Sequence, residues 1–361
     1  MIVGTNMMNI YHHRIELIKA LLMNGFKVIV TAPKGDEVKI ITDIGCEFIP
    51  LEIDNRGTSI RKDLKLMRNL KKICKREQPD ILLSFYTKTN IYAGIIARSL
   101  KIPYIENITG LGSALAKGSG LLYKILSTLY KYSVRDSHLV FFQNESNYRF
   151  FYDRKLYRGR YKMLPGSGVN IEKYSELPYP DGPVQFLFIS RILKDKGIGE
   201  YIYAAEKIKE RWPEVTFHVA GPCDPSCEQI IKRAQEKNLI EYHGKVFDIH
   251  DLLSRVHCTI HPSYYPEGMA NVLLESSSSG RPIITTSLPG CGETVEDGKT
   301  GFVVKERSGE DLKEKIEIFL NLDFLAQEAM GHAGRKKMEK EFNREIVIDE
   351  YLKAIKEILD K

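Results

Sequence analysis

A chain of 361 residues exceeds the size at which one hydrophobic core keeps growing, so two domains are expected. With 53 Lys and Arg against 47 Asp and Glu, the formal charge is +6, too modest for wrapping nucleic acid. The Arg-rich stretch 148–162 suits an acidic ligand or an anionic membrane instead. Six scattered cysteines (Cys46, Cys74, Cys223, Cys227, Cys258 and Cys291) argue against a disulfide framework and for a reducing compartment. Cys223 and Cys227 are the only close pair and lack a second Cys/His pair at metal spacing, so no metal is expected. No apolar run approaches the roughly 20 residues needed to span a bilayer, and no export signal opens the chain, which points to the cytosol.

Short β-rich runs alternate with helical patterns along the chain. Met1–Thr5 reads as a first strand and residues 14–23 as an apolar-periodic helix. Lys27–Thr31, Asp80–Ser84 and His138–Phe142 read as buried parallel strands. The Gly/Pro-dense segment 163–183 interrupts the pattern, which restarts at Val184–Ile189. Val215–Ala220, His257–His261, Pro282–Thr286 and Gly301–Val304 follow, and helical stretches near 308–321, 323–341 and 344–361 close the chain. This predicts an α/β protein of two doubly wound, Rossmann-like domains, residues 1–165 and 166–343, with the last helix packing back on the first domain. Facing one another, such domains place the carboxyl ends of both sheets around one central cleft, where open α/β sheets bind ligands.

Neither nicotinamide nor ATP chemistry is supported by the motifs. Gly110-Leu-Gly112 is followed by Leu115 where the dinucleotide fingerprint needs Gly or Ala, and Gly166-Ser-Gly168 by Ile171. Asp297-Gly-Lys-Thr300 has Glu293 in place of the first glycine of a phosphate loop.

The segment YPEGMANVLLESSSSG, residues 265–280, sets Glu267 in a turn after a strand and Glu275 eight residues later, inside a helix predicted over 271–279. Between them Gly268 admits close approach of a ligand to the backbone, and the helix N-terminus suits a diphosphate. After the strand Val184–Ile189 come Arg191 and Lys196, a planar fork and a mobile point charge for the same anion. Singly, each of these residues reads equally well as solvated surface charge; together, after strands of one domain, they point to a site.

On these residues the chain resembles the retaining GT-B glycosyltransferases of family four. Glu267-x7-Glu275, the Arg191/Lys196 pair and Gly166-Ser-Gly-Val-Asn170 occur in the family's order. The resemblance implies that Glu267 meets the donor sugar and Glu275 the nucleotide ribose. Arg191 and Lys196 would hold the diphosphate, Gly268, Met269, Ala270 and Asn271 would line the donor at the helix entry, and Gly244 and Val246 would flank the base. It also implies a first strand longer than Met1–Thr5, with residues upstream of Met1.

Tyr86–Tyr92 and Asn107–Ser113 resemble the acceptor loops of the subgroup that extends lipid-diphosphate-linked sugars in bacterial capsule, O-antigen, exopolysaccharide or glycoprotein glycan assembly. Lys88, Asn90, Gly110, Leu111, Gly112, His12 and His13 are the candidate acceptor residues; Lys88 also reads as solvated, and the histidines as capping or packing residues. In 118–135, Lys124 and Lys131, with Lys117 just before, recur every seven residues beside Leu121, Leu122, Ile125, Leu126 and Leu129. That pattern fits a basic helix on anionic lipid or a core-facing amphipathic helix with a wet basic side.

The implied activity is transfer of a hexose or N-acetylhexosamine, with retention, from a nucleotide sugar, UDP-linked by family habit, to a polyprenyl-diphosphate-linked sugar at the inner face of the cytoplasmic membrane. The chain has no Asp-x-Asp, so neither metal nor other cofactor is expected. A nucleotide-sugar epimerase of the same fold and a non-catalytic sugar- or nucleotide-binding protein are the alternatives.

Overall fold

Runs of β-branched and aromatic residues form the strands, and helices between them return the chain so that every strand pairing is parallel. The computed structural model describes residues 1–54, 57, 59–116 and 118–360. They divide into two compact units, Met1–Ser167 joined by the segment from Glu345 onward, and Gly168–Arg344.

The first unit holds β1 (Ile2–Val3), β2 (Ile29–Ala32), β3 (Glu47–Pro50), β4 (Leu82–Phe85), β5 (Tyr104–Ile108), β6 (Leu139–Phe142) and β7 (Tyr161–Met163), in the order β3-β2-β1-β4-β5-β6-β7. This is the doubly wound order about β1, so ligand-binding loops belong at the carboxyl ends of β1 and β4, where the order reverses. The helix Met7–Met23 starts at Asn6, whose side chain accepts the Asn9 amide at 2.7 Å, and buries Ile10, Leu17, Ile18 and Leu21. The terminal helix Arg344–Leu359 lays Val347, Ile348, Tyr351 and Ile355 into the same core as Ile2, Val30, Phe85 and Phe141.

In the second unit lie β8 (Gln185–Ile189), β9 (Thr216–Ala220), β10 (Glu241–Tyr242), β11 (Cys258–His261), β12 (Ile283–Thr286) and β13 (Gly301–Val304), ordered β10-β9-β8-β11-β12-β13. The order reverses between β8 and β11, the strands that precede Arg191 and Glu267. Where the chain enters and leaves this unit, Val169 N–H donates to Phe342 O at 2.8 Å and Arg344 N–H to Val169 O at 2.9 Å. Gly168 beside them has φ +66°, and a Cβ there would stand 2.5 Å from Arg344 Cα, so only glycine fits.

Candidate active site

The loop after β8 is pinned at both ends. Ile192 N–H donates to Pro222 O at 2.9 Å, and Tyr264 N–H, just past β11, donates to Asp195 O at 2.9 Å. Gly197, at φ +82°, lies directly against the Pro262 carbonyl, where any Cβ would collide. The loops after β8 and β11 are thereby held together, and Lys196 of one pairs with Glu267 of the other. Both side chains are largely buried, at 12% and 15% exposure. Burial pushes the Lys196 ammonium down to about 8; Cys291 works against this and Arg191 with it. Arg191 itself is exposed.

The turn of Glu267 is tight because Gly290 packs onto it. A Cβ at Gly290 would meet Gly268 O at 2.8 Å and Glu267 Cβ at 2.9 Å. Gly290 O accepts the Ala270 amide at 2.8 Å, and Ala270 O accepts that of Leu273 at 2.9 Å. The helix Asn271–Ser278 begins there with no side-chain cap. Met269 and Ala270 point into apolar clusters, so their part in any ligand contact is confined to backbone. Asn271 is half-buried, with Oδ1 lacking a hydrogen-bond partner among the described residues.

One turn into that helix, burial pushes the Glu275 carboxyl up to about 7, against the opposing pull of Arg344, Lys173 and a hydrogen bond with the Tyr174 hydroxyl. Tyr174 is stacked on His250, with ring centroids 5.0 Å apart and planes 13° from parallel. Gly244 has φ +66°, its carbonyl accepts the Gly221 amide at 2.7 Å, and the space a Cβ would take is open. Val246 packs against the cluster of Ile249, Leu252 and Leu274.

In the first unit the candidate residues separate into three kinds. His12 and His13 are half-buried within the helix Met7–Met23, whose cap is Asn6, so neither histidine is a capping residue. Lys88 is largely buried rather than solvated: its ammonium pairs with Asp63 at 2.7 Å and donates to Asp54 O at 2.7 Å and Gly57 O at 2.9 Å. Three protons and three partners leave it holding the loop before the helix Ile60–Glu77. Asn90 is fully buried, donating to Asn107 O at 2.8 Å and Tyr130 Oη at 3.2 Å, which removes it from direct contact with an acceptor. Gly110 (φ +143°) and Gly112 (φ +70°) frame a turn after β5, and Leu111 O accepts the Thr87 hydroxyl.

Residues 171–337 match the family of glycosyl transferases group 1, and residues 6–144 match glycosyl transferase 4-like proteins. The chain belongs to these glycosyltransferases. Among its relatives is the N,N'-diacetylbacillosaminyl-diphospho-undecaprenol alpha-1,3-N-acetylgalactosaminyltransferase of Campylobacter jejuni, 27% identical and spanning 97% of this chain and 96% of the relative. A capsular polysaccharide biosynthesis glycosyltransferase, CapM of Staphylococcus aureus, is 25% identical over 92% and 90% of the two chains. The Anabaena HepE structure in complex with UDP and glucose superposes with a TM-score of 0.80 at 14% identity, covering 99% and 98%. Both units of the glycosyltransferase are thus Rossmann-like modules of the GT-B fold.

Two residues of this glycosyltransferase stand beside the Lys196–Glu267 pair although nothing in the motifs marks them. Tyr265 offers its ring face to the Lys196 ammonium, 5.0 Å from the centroid. His261 ends β11 with its Nε2 3.8 Å from the Glu267 carboxylate. Burial and the Lys196 charge hold His261 down to about 3, so its imidazole is neutral, and neither ring nitrogen has a hydrogen-bond partner among the described residues. Its position as the last strand residue before the turn was the available signal. In the first unit, buried Arg14 lies over the Phe85 ring at 4.3 Å, one residue before Tyr86, which takes φ +73° at the carboxyl end of β4. Such a conformation in a bulky residue marks stored backbone strain.

Proposed function

We propose that this glycosyltransferase moves a hexose or N-acetylhexosamine from a UDP-sugar to a polyprenyl-diphosphate-linked sugar, with retention and without a metal at the donor. One observation carries the reading: a buried ammonium and a buried carboxylate, Lys196 and Glu267, meet at the point where the second sheet's order reverses, next to a helix N-terminus. Water is a poor competitor for such groups, and an incoming diphosphate would take over Lys196 while releasing Glu267 toward the sugar hydroxyls. Arg191, exposed on the same loop, closes on the phosphates. Glu275 accepts hydrogen bonds from the ribose diol, and Gly244 and Val246 border the base.

Developing negative charge on the leaving diphosphate is met by Lys196, Arg191 and the amides at the start of the helix Asn271–Ser278. The departing phosphate oxygen takes the acceptor's proton on the same face, which preserves the anomeric configuration. Support for UDP comes from the HepE structure, and for a lipid-diphosphate acceptor from the activity in the Campylobacter relative's name. His12, His13, Gly110, Leu111 and Gly112 remain the acceptor residues of this proposal, with Lys88 and Asn90 positioning them.

Contact with the inner face of the cytoplasmic membrane completes the reading. No described helix is long and apolar enough to cross a membrane. The helix Leu121–Ser133 instead exposes Leu121, Leu122 and Ile125 beside Lys124 and Lys131, while Leu126, Leu129 and Tyr130 pack inward. Lys117 lies outside the described residues. Apolar side chains next to lysines on one exposed face suit an anionic interface.

The test is a screen of UDP- and GDP-sugars for nucleotide release with and without polyprenyl-diphosphate-linked sugars, followed by the anomeric configuration of the product. Acceptor-dependent UDP release and an unchanged anomer are expected. Release indifferent to acceptor, or absent with every donor, would overturn the reading.

A further inference from the structure

The edge of the second sheet carries a cluster that the donor site does not use. β10 is the edge strand, and its register places Glu241 opposite His218 of β9. His243 follows Glu241 by two residues, so both project from the same face of the extended chain, and His243 N–H continues the ladder by donating to Val219 O at 2.9 Å. Three side chains of metal-ligand type therefore converge from two neighbouring strands.

We propose that His218, Glu241 and His243 form a binding site for a divalent cation of the zinc class. One ligand atom from each of the three residues falls within 4.8 Å of the others. His218 Nδ1 lies 3.0 Å from His243 Nε2 and 3.4 Å from a Glu241 carboxylate oxygen. Ligand atoms about 2.0–2.1 Å from a tetrahedral zinc stand about 3.3–3.4 Å from one another, so small side-chain adjustments admit the ion.

The inner ligand is already oriented. His218 is buried, and its Nε2 lies 2.8 Å from Gln185 Oε1 on β8. An amide oxygen only accepts, so the proton sits on Nε2 and the Nδ1 lone pair faces Glu241 and His243. A ligand histidine whose second nitrogen donates to a fixed acceptor is the usual outer arrangement at metal centres. Without metal, His243 donates its Nε2 proton to His218 Nδ1; on binding, that proton passes through solvent to His243 Nδ1 and the ion takes its place on Nε2. Glu241 and His243 are exposed, which leaves an entry path and a fourth position for water. Two imidazoles and one carboxylate favour zinc and its neighbours over magnesium or calcium, which prefer all-oxygen cages. The bound ion would fasten a two-residue edge strand to β9.

Tag-free, chelator-treated protein titrated with Co(II) and then Zn(II) tests this. One equivalent of Co(II) should bind with the visible d–d spectrum of a low-coordinate site, and Zn(II) should displace it. Zn(II) in excess should raise the melting temperature by roughly a few degrees. His243→Ala and Glu241→Gln lie on the surface and should keep the metal-free melting temperature while weakening binding at least ~10-fold each. Gln185→Leu should weaken it roughly 10- to 100-fold. Absence of stoichiometric binding by Co(II) or Zn(II) overturns the proposal. So does binding that is unchanged in His243→Ala and Glu241→Gln but lost in Cys223→Ser, which would move the ion to the Cys223/Cys227 pair.

Discussion

Lys196 and Glu267 form an ion pair at the carboxyl ends of β8 and β11, with only 12% and 15% of their side chains exposed. Removing either partner strands a charge in a site that water reaches poorly, so the pair holds two loops in register as well as presenting a cation.

The Lys196 ammonium, pushed by burial down to about 8, titrates close to neutrality. Diphosphate binding requires the protonated form, so UDP affinity should hold steady below pH 7 and fall as pH rises through about 8. With one proton required, the limiting slope is about tenfold per pH unit. Calorimetric titration of UDP between pH 6.5 and 9.5 measures this. Lys196→Arg, with a guanidinium that stays charged, should lose the alkaline limb even if it binds more weakly; a wild-type affinity that is flat to pH 9.5 would rule out Lys196 as the phosphate cation.

Glu275 shows the opposite sign. Its folded-state carboxyl is raised from 4.5 to about 7, so the folded protein binds more protons than the unfolded chain between those values, and stability drops as pH rises across that window. The loss, on the order of 3 kcal/mol, persists above it. Glu275→Gln removes it: its melting temperature should match wild type at pH 4 and exceed it at pH 8, while UDP affinity falls at least ~10-fold. Equal melting temperatures at both pH values would show that the carboxylate is fully compensated by Arg344 and Tyr174.

Much of this fold was legible in the sequence because its inner strands are apolar throughout. The strands predicted over 27–31, 80–84, 138–142, 184–189, 215–220, 257–261 and 282–286 each lie within two residues of the observed ones, and Gly301–Val304 coincides. β5 was hidden because Glu106 and Asn107 interrupt its apolar run, β3 because half its residues are exposed, and β10 because two edge residues leave no period to detect. The candidates Arg191, Lys196, Glu267 and Glu275 all lie close in sequence to a strand end, so their place in the fold can be read from the sequence. The surroundings of Lys88 and Asn90 are not legible for the converse reason: their partners, Asp54, Gly57 and Asp63 for one and Asn107 and Tyr130 for the other, are distant in sequence.

Replacing Lys88 distinguishes a positioning lysine from an acceptor-binding one. Lys88→Met breaks a part-buried ion pair and two charge-assisted hydrogen bonds, and should cost about 1–3 kcal/mol of stability in the first unit. Hydrogen exchange should rise in the Asp54 and Gly57 backbone and at the start of the helix Ile60–Glu77. If stability and exchange are unchanged while acceptor KM rises, Lys88 touches the acceptor directly.

Glu106 is a carboxylic acid buried in the first unit. It sits on β5 with no exposed surface, and neither carboxyl oxygen has a hydrogen-bond partner among the described residues. Ser133, close enough to oppose the effect of burial, donates its hydroxyl to Tyr130 O instead. Burial therefore raises the carboxyl well above its ordinary range and favours its neutral form. The unfolded chain ionises Glu106 near its ordinary value while the folded chain does not, so wild-type stability declines as pH rises from there, by about 1.4 kcal/mol per unit until the folded group also ionises. Glu106→Gln keeps the shape and cannot ionise. Its advantage in melting temperature over wild type should be small near the ordinary carboxylate range and grow as pH rises above it, whereas a constant difference would mean that Glu106 is ionised and matched by a counter-charge in the fold.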